Sequence, residues 1–293
     1  MNVAARCGKI GTKRAARSMA DFTLTATEET VAPGEAYLTD TPVLHAHAGT
    51  QPDLFLRWNR LPATAAAIDV VVHLHGFSQR GGAMALAEKV ARSGIELSGR
   101  SRPTLALIPR GNFIRRNWYD FPALNGGGFA ALVEYGLACL RAGLALDRLI
   151  VTAHSGGVMP AVGLLDGEGP MPDELHLFDG LYGNDPALGD PYRDLAAIER
   201  WLGDRFAAEP VRPGALRVVY LDRQTGEMSR AVGEAIARHL ASADPARAAL
   251  LSPRYRVERS LVPHSDVAWR CGPEFLADPG ADIDWSRPVP AGG

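Results

Sequence analysis

The chain has little cysteine, no long apolar run and almost no net charge, and each shortage excludes a class of protein. Its three cysteines, Cys7, Cys139 and Cys271, are an odd number without C-x-x-C spacing, which predicts neither a disulfide framework nor a zinc knuckle. No apolar run approaches the roughly 20 residues that a membrane helix needs. The formal net charge of -2 gives no field that would attract nucleic acid or an anionic membrane. We therefore expect a soluble protein with a small-molecule or peptide-like substrate.

A secretory signal is lacking as well. The first 20 residues carry several basic side chains, but no apolar block of about 7 to 15 residues follows them. We interpret residues 1–20 as a disordered basic leader, with a transit peptide as the alternative, and we expect a cytoplasmic protein. Residues 21–285 are then predicted to form a single domain without a large inserted lid, and residues 286–293 a flexible tail.

After residue 62, short apolar runs alternate with helical patterns, which is typical of βαβ units and a parallel sheet. The predicted buried strands are Asp69–Leu74, Thr104–Ile108, Arg148–Thr152, Glu174–Phe178, Leu216–Leu221 and Tyr255–Leu261. The predicted helices are Gly82–Ser93, Gly128–Ala142, Gly156–Leu165, Asp194–Phe206 and Glu227–Leu240. Three short strand patterns precede them, at Tyr37–Thr39, Val43–His47 and Leu54–Trp58. The sequence thus predicts an α/β fold: a mostly parallel central sheet of about eight strands, with helices on both faces and an antiparallel N-terminal edge.

The strongest local motif surrounds Ser155. An apolar strand runs directly into this serine, with Ala153 two positions before it, Gly157 two positions after it and an apolar helical pattern beyond. A nucleophilic serine on a strained strand-to-helix turn needs small neighbours because chain segments approach it closely. The motif departs from G-x-S-x-G by one methyl group, and a serine before two glycines also suits a simple helix cap. We predict that Ser155 is a nucleophile.

Upstream, a second buried strand ends in His75, Gly76 and Phe77. With the serine motif, this ending resembles the α/β-hydrolase superfamily, and the likeness covers most of residues 64–275 through the order of its motifs. The resemblance implies the α/β-hydrolase fold, and an oxyanion hole formed by the backbone N–H groups of Phe77 and Gly156. It also implies that His75, Gly76 and His154 border the substrate.

A metal site is the alternative interpretation of His73-x-His75, because two histidines at i and i+2 share one face of a strand. The acid and third histidine expected shortly after them are missing, since Phe77 and Ser78 stand there. The pair His45-x-His47 has no such companions either. We predict no metal and no cofactor.

The base and the acid are expected after later strands. His264 follows the last apolar strand, and the carboxyl ends of all parallel strands open onto one side of the sheet. Asp179 follows the sixth strand in a glycine-flanked turn, whereas Asp222 follows the seventh and precedes Arg223, with which it could form a surface ion pair. The superfamily most often places its acid at the position of Asp222. We favour Asp179 as the acid and keep Asp222 as the alternative.

Residues 110–121 are dense in aromatic and cationic side chains and follow the strand that ends at Ile108. On this fold they face the same rim as Ser155, so Trp118 and Tyr119 are candidate substrate-binding residues; a packed surface loop is the alternative.

The resemblance implies a serine hydrolase that cleaves a small carboxylic ester through an acyl-enzyme. A peptidase, thioesterase or acyltransferase on the same scaffold is the first alternative. A non-catalytic ligand-binding protein that keeps the pocket is the second.

Overall fold

The computed structural model describes residues 30–77, 83–115, 118–167, 169–182, 191–208 and 213–286; the side chains of residues 114, 115, 118, 119 and 191–194 are not included. The leader predicted at residues 1–20 lies outside the described residues, as does all but the first residue of the tail predicted at 286–293.

Eight strands form one sheet, in the order β1-β2-β4-β3-β7-β8-β9-β10, and β5 and β6 form a separate hairpin. From β4 to β10 all neighbouring strands are parallel, and β2 pairs antiparallel with both β1 and β4. The strands are β1 Gly34–Leu38, β2 Leu54–Trp58, β3 Ala67–Leu74, β4 Thr104–Pro109, β5 Asn112–Arg115, β6 Trp118–Asp120, β7 Ala145–His154, β8 Glu174–Phe178, β9 Ala215–Tyr220 and β10 Tyr255–Arg259. The predicted mostly parallel sheet with an antiparallel N-terminal edge is confirmed.

Helices cover both faces of this sheet. They are α1 Leu86–Arg92, α2 Gly128–Leu140, α3 Val158–Gly163, α4 Pro191–Ala207, α5 Gly226–Ser242, α6 Pro245–Leu251 and α7 Val267–Ala277. Strand β3 shows why the parallel strands are continuous apolar runs: Val70 and Val72 pack in the cluster that includes α2 to α5, whereas Val71 packs with α1 on the opposite face. None of the described helices is long and apolar enough to span a bilayer.

Two differences from the sequence expectations concern local structure. The strand predicted at Val43–His47 is wrong, because Pro42–Leu44 forms a 3-10 turn there. The imidazole of His47 is buried and bridges the Arg110 carbonyl and the Ala123 N–H, at 2.8 and 3.1 Å. The His45-x-His47 pattern therefore belongs to a loop that the hydrogen bonds of His47 hold in place, and not to a strand. Helices α6 and α7 and the β5–β6 hairpin were not predicted.

The direction of the parallel strands determines where a site can form. The carboxyl ends of β3, β7, β8, β9 and β10 lie at one edge of the sheet. The segments that follow these five strands, beginning at residues 75, 155, 179, 221 and 260, therefore converge although they are distant in sequence.

At the buried side of β9, Arg217 ties the sheet to the segment after α7. Its side chain is 0% exposed and donates to Glu258 of β10 at 2.7 Å and to the carbonyls of Pro279 and Ala281. Its guanidinium carbon also lies 3.9 Å from the ring centroid of Phe275. One buried cation therefore joins β9, β10 and the chain beyond α7.

We predict that Arg217→Met lowers the free energy of unfolding by about 2–5 kcal/mol, because the carbonyls of Pro279 and Ala281 lose their donor while Glu258 keeps its pairing with Arg256. Arg238→Met is the control, since the ion pair of Arg238 with Glu199 is exposed and its loss should cost under about 1 kcal/mol. Urea unfolding of both variants measures the two costs. Equal costs would contradict the role assigned to Arg217.

Candidate active site

Ser155 stands at the end of β7, where the chain turns sharply. Residues Ser155–Gly157 form a 3-10 turn, and α3 begins directly after it. The backbone of Ser155 has φ +55°, in the left-handed region that residues other than glycine rarely adopt. This strained conformation persists because the surrounding segments hold it. The serine is thus presented at the edge of the sheet where the strand ends converge.

Three glycines allow other segments to approach this turn. A Cβ atom on Gly76 would lie 2.5 Å from the Cβ of Ser155, and one on Gly180 would lie 2.1 Å from the Ser155 carbonyl oxygen. A Cβ on Gly157 would lie 2.2 Å from the Leu74 carbonyl oxygen. Each distance is shorter than any real carbon contact, so these positions require glycine.

A continuous hydrogen-bonded chain runs from Ser155 through His264 to Asp179. The Nε2 atom of His264 lies 2.9 Å from the Oγ of Ser155, and its Nδ1 lies 2.6 Å from Oδ2 of Asp179. Since a carboxylate only accepts, Nδ1–H donates to Asp179, and Nε2 is left to accept the hydroxyl proton of Ser155. The structure therefore brings three of the sequence-predicted residues together in one array.

Asp179 is held in this position by further donors. Its Oδ1 accepts from the Leu221 N–H at 2.9 Å and from the Thr225 hydroxyl. Burial alone raises the pKa of the Asp179 carboxyl, but the hydrogen bonds from His264, Thr225 and the backbone outweigh burial and hold that pKa below its usual value. The carboxyl is therefore ionised at neutral pH and can stabilise a positive imidazolium.

The alternative acid, Asp222, has other partners. Its carboxylate pairs with Arg230 at 3.1 Å and with Arg259 at 2.8 Å, and its side chain is 39% exposed. No hydrogen bond joins it to His264 among the contacts of the described residues. The structure thus separates the two candidates: Asp179 adjoins the imidazole and Asp222 lies in a surface ion-pair cluster.

His154, predicted to border the substrate, contacts His264. Its Nε2 lies 2.9 Å from the His264 carbonyl oxygen, and the two ring centroids are 4.7 Å apart. Burial, assisted by the neighbouring His264, lowers the pKa of His154 to about 3, so the imidazole is neutral and donates Nε2–H to that carbonyl. His154 thus fixes the backbone that carries the candidate base.

The histidines of β3 and its end are bonded within the protein. Nδ1 of His73 lies 2.8 Å from the Thr152 hydroxyl. His75 is 3% exposed; its Nε2 accepts the Gly111 N–H at 2.9 Å, and its Nδ1 donates to the Gly76 carbonyl at 2.9 Å. Both ring nitrogens of His75 are therefore hydrogen-bonded to backbone groups. Its predicted place beside the substrate stays a prediction. Among the described residues, no group of three or more His, Cys, Asp or Glu could hold a metal ion.

The two residues predicted to supply the oxyanion donors, Phe77 and Gly156, are in contact. A Cβ atom on Gly156 would lie 2.1 Å from the ring of Phe77, so the aromatic ring covers the start of the turn after Ser155. Trp118 and Tyr119 belong to β6, which contacts the Ser155–Gly157 turn, but their side chains lie outside the described residues. Their predicted substrate contact stays a prediction.

Three polar residues at this site were not predicted from the sequence: Tyr182, Thr225 and Lys89. The hydroxyl of Tyr182 lies 3.1 Å from the Ser155 Oγ. Burial raises the pKa of this phenol, so it stays protonated and can donate. The only sequence signal was its place three residues after Asp179. Lys89 had a clearer signal, because it interrupts the apolar face of α1 between Leu86 and Val90.

A cavity of about 500 Å³ opens beside the imidazole. Its walls include Asp179, His264 and Tyr182, together with the polar side chains of Arg223 and Gln224. A small molecule in this cavity would therefore contact the same residues that contact Ser155.

Comparisons with known proteins gave structural similarities only. No protein-family model and no curated protein sequence matches the chain. The structure is similar to TT1662 from Thermus thermophilus, with 15% identity, a TM-score of 0.47 and coverage of 78% of this chain and 94% of that one. It is also similar to the siderophore hydrolase EstA from Aspergillus nidulans, with 13% identity, a TM-score of 0.43 and coverage of 80% and 93%. For the S-formylglutathione hydrolase from Agrobacterium tumefaciens, identity is 12%, the TM-score 0.45 and coverage 85% and 96%.

The fold itself is established by the strand order of the eight-stranded sheet and by the sharp turn after its central strand β7. The order and direction of the eight strands and the sharp strand-to-helix turn at Ser155 are those of an α/β-hydrolase fold.

Proposed function

We propose that the protein is a serine hydrolase that cleaves small carboxylic esters through an acyl-enzyme. The observation that carries the proposal is the hydrogen-bonded chain from Ser155 Oγ through His264 to the ionised Asp179. A serine hydroxyl is a weak nucleophile on its own, and a base oriented by a third group is what activates it. The three residues fill these roles in order.

In the proposed acylation, Ser155 Oγ bonds to the ester carbonyl carbon while its proton passes to Nε2 of His264. Asp179 holds the Nδ1–H of the imidazole and stabilises the imidazolium that forms. His264 then gives the proton to the leaving alcohol oxygen as the carbon–oxygen bond breaks. A water molecule, deprotonated by the same imidazole, cleaves the acyl-enzyme to the carboxylic acid and restores the serine.

The negative charge on the carbonyl oxygen needs donors that are already in place. We assign this role to the backbone N–H groups of Phe77 and Gly156. Gly156 follows Ser155 in sequence, and Phe77 follows Gly76, which packs against Ser155. Donors of this kind act in a site from which water is excluded and therefore stabilise the transition state strongly. The partly buried phenol of Tyr182 supplies a further donor at the Ser155 Oγ.

We predict that Ser155→Ala lowers kcat for ester hydrolysis by at least about 10⁴-fold with an unchanged Tm, since the bond-forming oxygen is lost. Ser252→Ala, at an exposed serine after α6, is the control and should leave kcat unchanged. The rates are measured on matched ester, thioester and amide substrates with one acyl group. The proposal fails if Ser155→Ala hydrolyses the ester at the rate of the unmodified protein, and the ester assignment fails if the amide or thioester is cleaved faster.

A second prediction separates the two acids. Asp179→Asn should lower kcat by about 10⁴-fold because an amide cannot hold the imidazole in the required tautomer. Asp222→Asn removes an exposed ion-pair partner and should change kcat by less than about twofold. Steady-state kinetics at matched folded fraction measures both. A larger loss for Asp222→Asn would transfer the role to that residue.

The third prediction concerns Tyr182. Tyr182→Phe keeps the ring and removes one hydrogen bond to the Ser155 Oγ, so kcat/KM should fall about tenfold. Equal kcat/KM for the variant and the unmodified protein would show that this hydroxyl takes no part in the reaction.

A further inference from the structure

Lys89 is a buried cation at the carboxyl end of β3, and none of the roles proposed so far uses it. It lies on α1, its side chain is 5% exposed, and its Nζ donates to the carbonyls of Gly76 and Phe77 at 2.7 and 2.9 Å. Burial lowers the pKa of Lys89 to about 7. Burying an amine costs free energy because the charged form loses its hydration. We therefore ask what the two contacts of this buried amine with the loop contribute.

Gly76 makes the loop that Lys89 contacts conformationally permissive. Gly76 must be glycine because a Cβ there would collide with Ser155, and glycine permits many backbone conformations. Gly76 itself therefore restrains the peptide between Gly76 and Phe77 less than another residue would.

Two side chains hold that peptide at its oxygen. The Gly76 carbonyl accepts from Lys89 Nζ at 2.7 Å and from His75 Nδ1 at 2.9 Å. His75 is itself fixed, because its Nε2 accepts the Gly111 N–H. The Phe77 carbonyl, one peptide further on, also accepts from Lys89. The amine thus bridges two successive carbonyls of the loop.

Fixing the oxygen also fixes the N–H. In a planar trans peptide the carbonyl of one residue and the N–H of the next point in opposite directions. With the Gly76 oxygen directed at Lys89, the Phe77 N–H is directed away from Lys89. That N–H is the donor to which the proposed function assigns the oxyanion.

We propose that Lys89 is a positioning residue that sets the Gly76–Phe77 peptide so that the Phe77 N–H faces the oxyanion formed by attack of Ser155. The inference rests on the proposed function. It differs from a merely structural role of the lysine, because a positioning role affects the transition state more than substrate binding or stability.

The test compares Lys89→Met, which keeps an unbranched side chain only one atom shorter and removes the donor, with Val90→Ala. Val90 is buried on the same helix and packs in the cluster beneath it, so its truncation weakens α1 without removing a contact to the loop. For each variant, kcat and KM are measured on the best ester, with Tm and the inhibition constant of a trifluoromethyl ketone that carries the same acyl group. This ketone forms an oxyanion on the serine.

We expect Lys89→Met to lower kcat about 10²-fold, the loss that follows removal of one oxyanion donor, with KM changed by less than about threefold. The inhibition constant of the ketone should rise in proportion to the fall in kcat. Val90→Ala should lower Tm and leave kcat and the inhibition constant unchanged. Where Lys89→Met does not fold, Lys89→Gln, which retains one N–H donor group, replaces it and should show a smaller loss of the same kind.

Two failures are distinguishable. If the unmodified protein hydrolyses no ester, the proposed function itself fails. If it hydrolyses esters and the Lys89 variant keeps kcat and ketone affinity within about twofold, or if Val90→Ala loses kcat equally, the positioning role of Lys89 is overturned.

Discussion

The site depends on one constraint, the close packing of the left-handed Ser155 backbone between neighbouring chain segments. Gly76 and Gly180 touch the serine itself, and Gly157 touches the end of β3. These contacts hold a serine at φ +55° and place its Oγ where the strand ends meet. Gly76 directly precedes Phe77, and Gly180 directly follows Asp179. The same packing therefore positions Phe77 and Asp179 relative to the Ser155 hydroxyl.

Each polar group that contacts Ser155 is itself held by hydrogen bonds from further groups. His264 contacts Ser155 with one nitrogen and Asp179 with the other, while its carbonyl is held by the neutral His154. Asp179 in turn is held by the Thr225 hydroxyl and the Leu221 N–H, which come from the segment after β9. These groups follow or end the strands β7, β8, β9 and β10. The sheet therefore determines the distances between them.

Much of the fold was predictable because each parallel strand is buried on both faces and therefore reads as a continuous apolar run. Strand β8 was predicted with its observed bounds, Glu174–Phe178. Helix α7 was missed because it contains Pro273 and Gly272, residues that usually end helices; Gly272 is there because the helix crosses Gly94, whose oxygen would lie 2.6 Å from an added Cβ. Such a crossing depends on tertiary packing and leaves no periodic pattern.

The site, too, combines residues that the strand pattern predicts with residues that only the tertiary packing brings close. Ser155, Asp179 and His264 each follow an apolar strand, so their convergence could be anticipated from strand order alone. Lys89 and Tyr182 contact the site through distances that depend on how α1 and the turn after β8 fold, and no spacing in the sequence encodes these distances. For His75 the structure shows that both ring nitrogens bind backbone groups, and its predicted substrate contact stays a prediction.

Covalent labelling tests the central claim most directly. The unmodified protein is treated with a fluorophosphonate, and its mass and the modified peptide are determined by mass spectrometry. We predict one adduct per chain, located on Ser155, because its hydroxyl is hydrogen-bonded to an imidazole that Asp179 orients. An adduct on another residue, or no adduct on a folded protein, would contradict it.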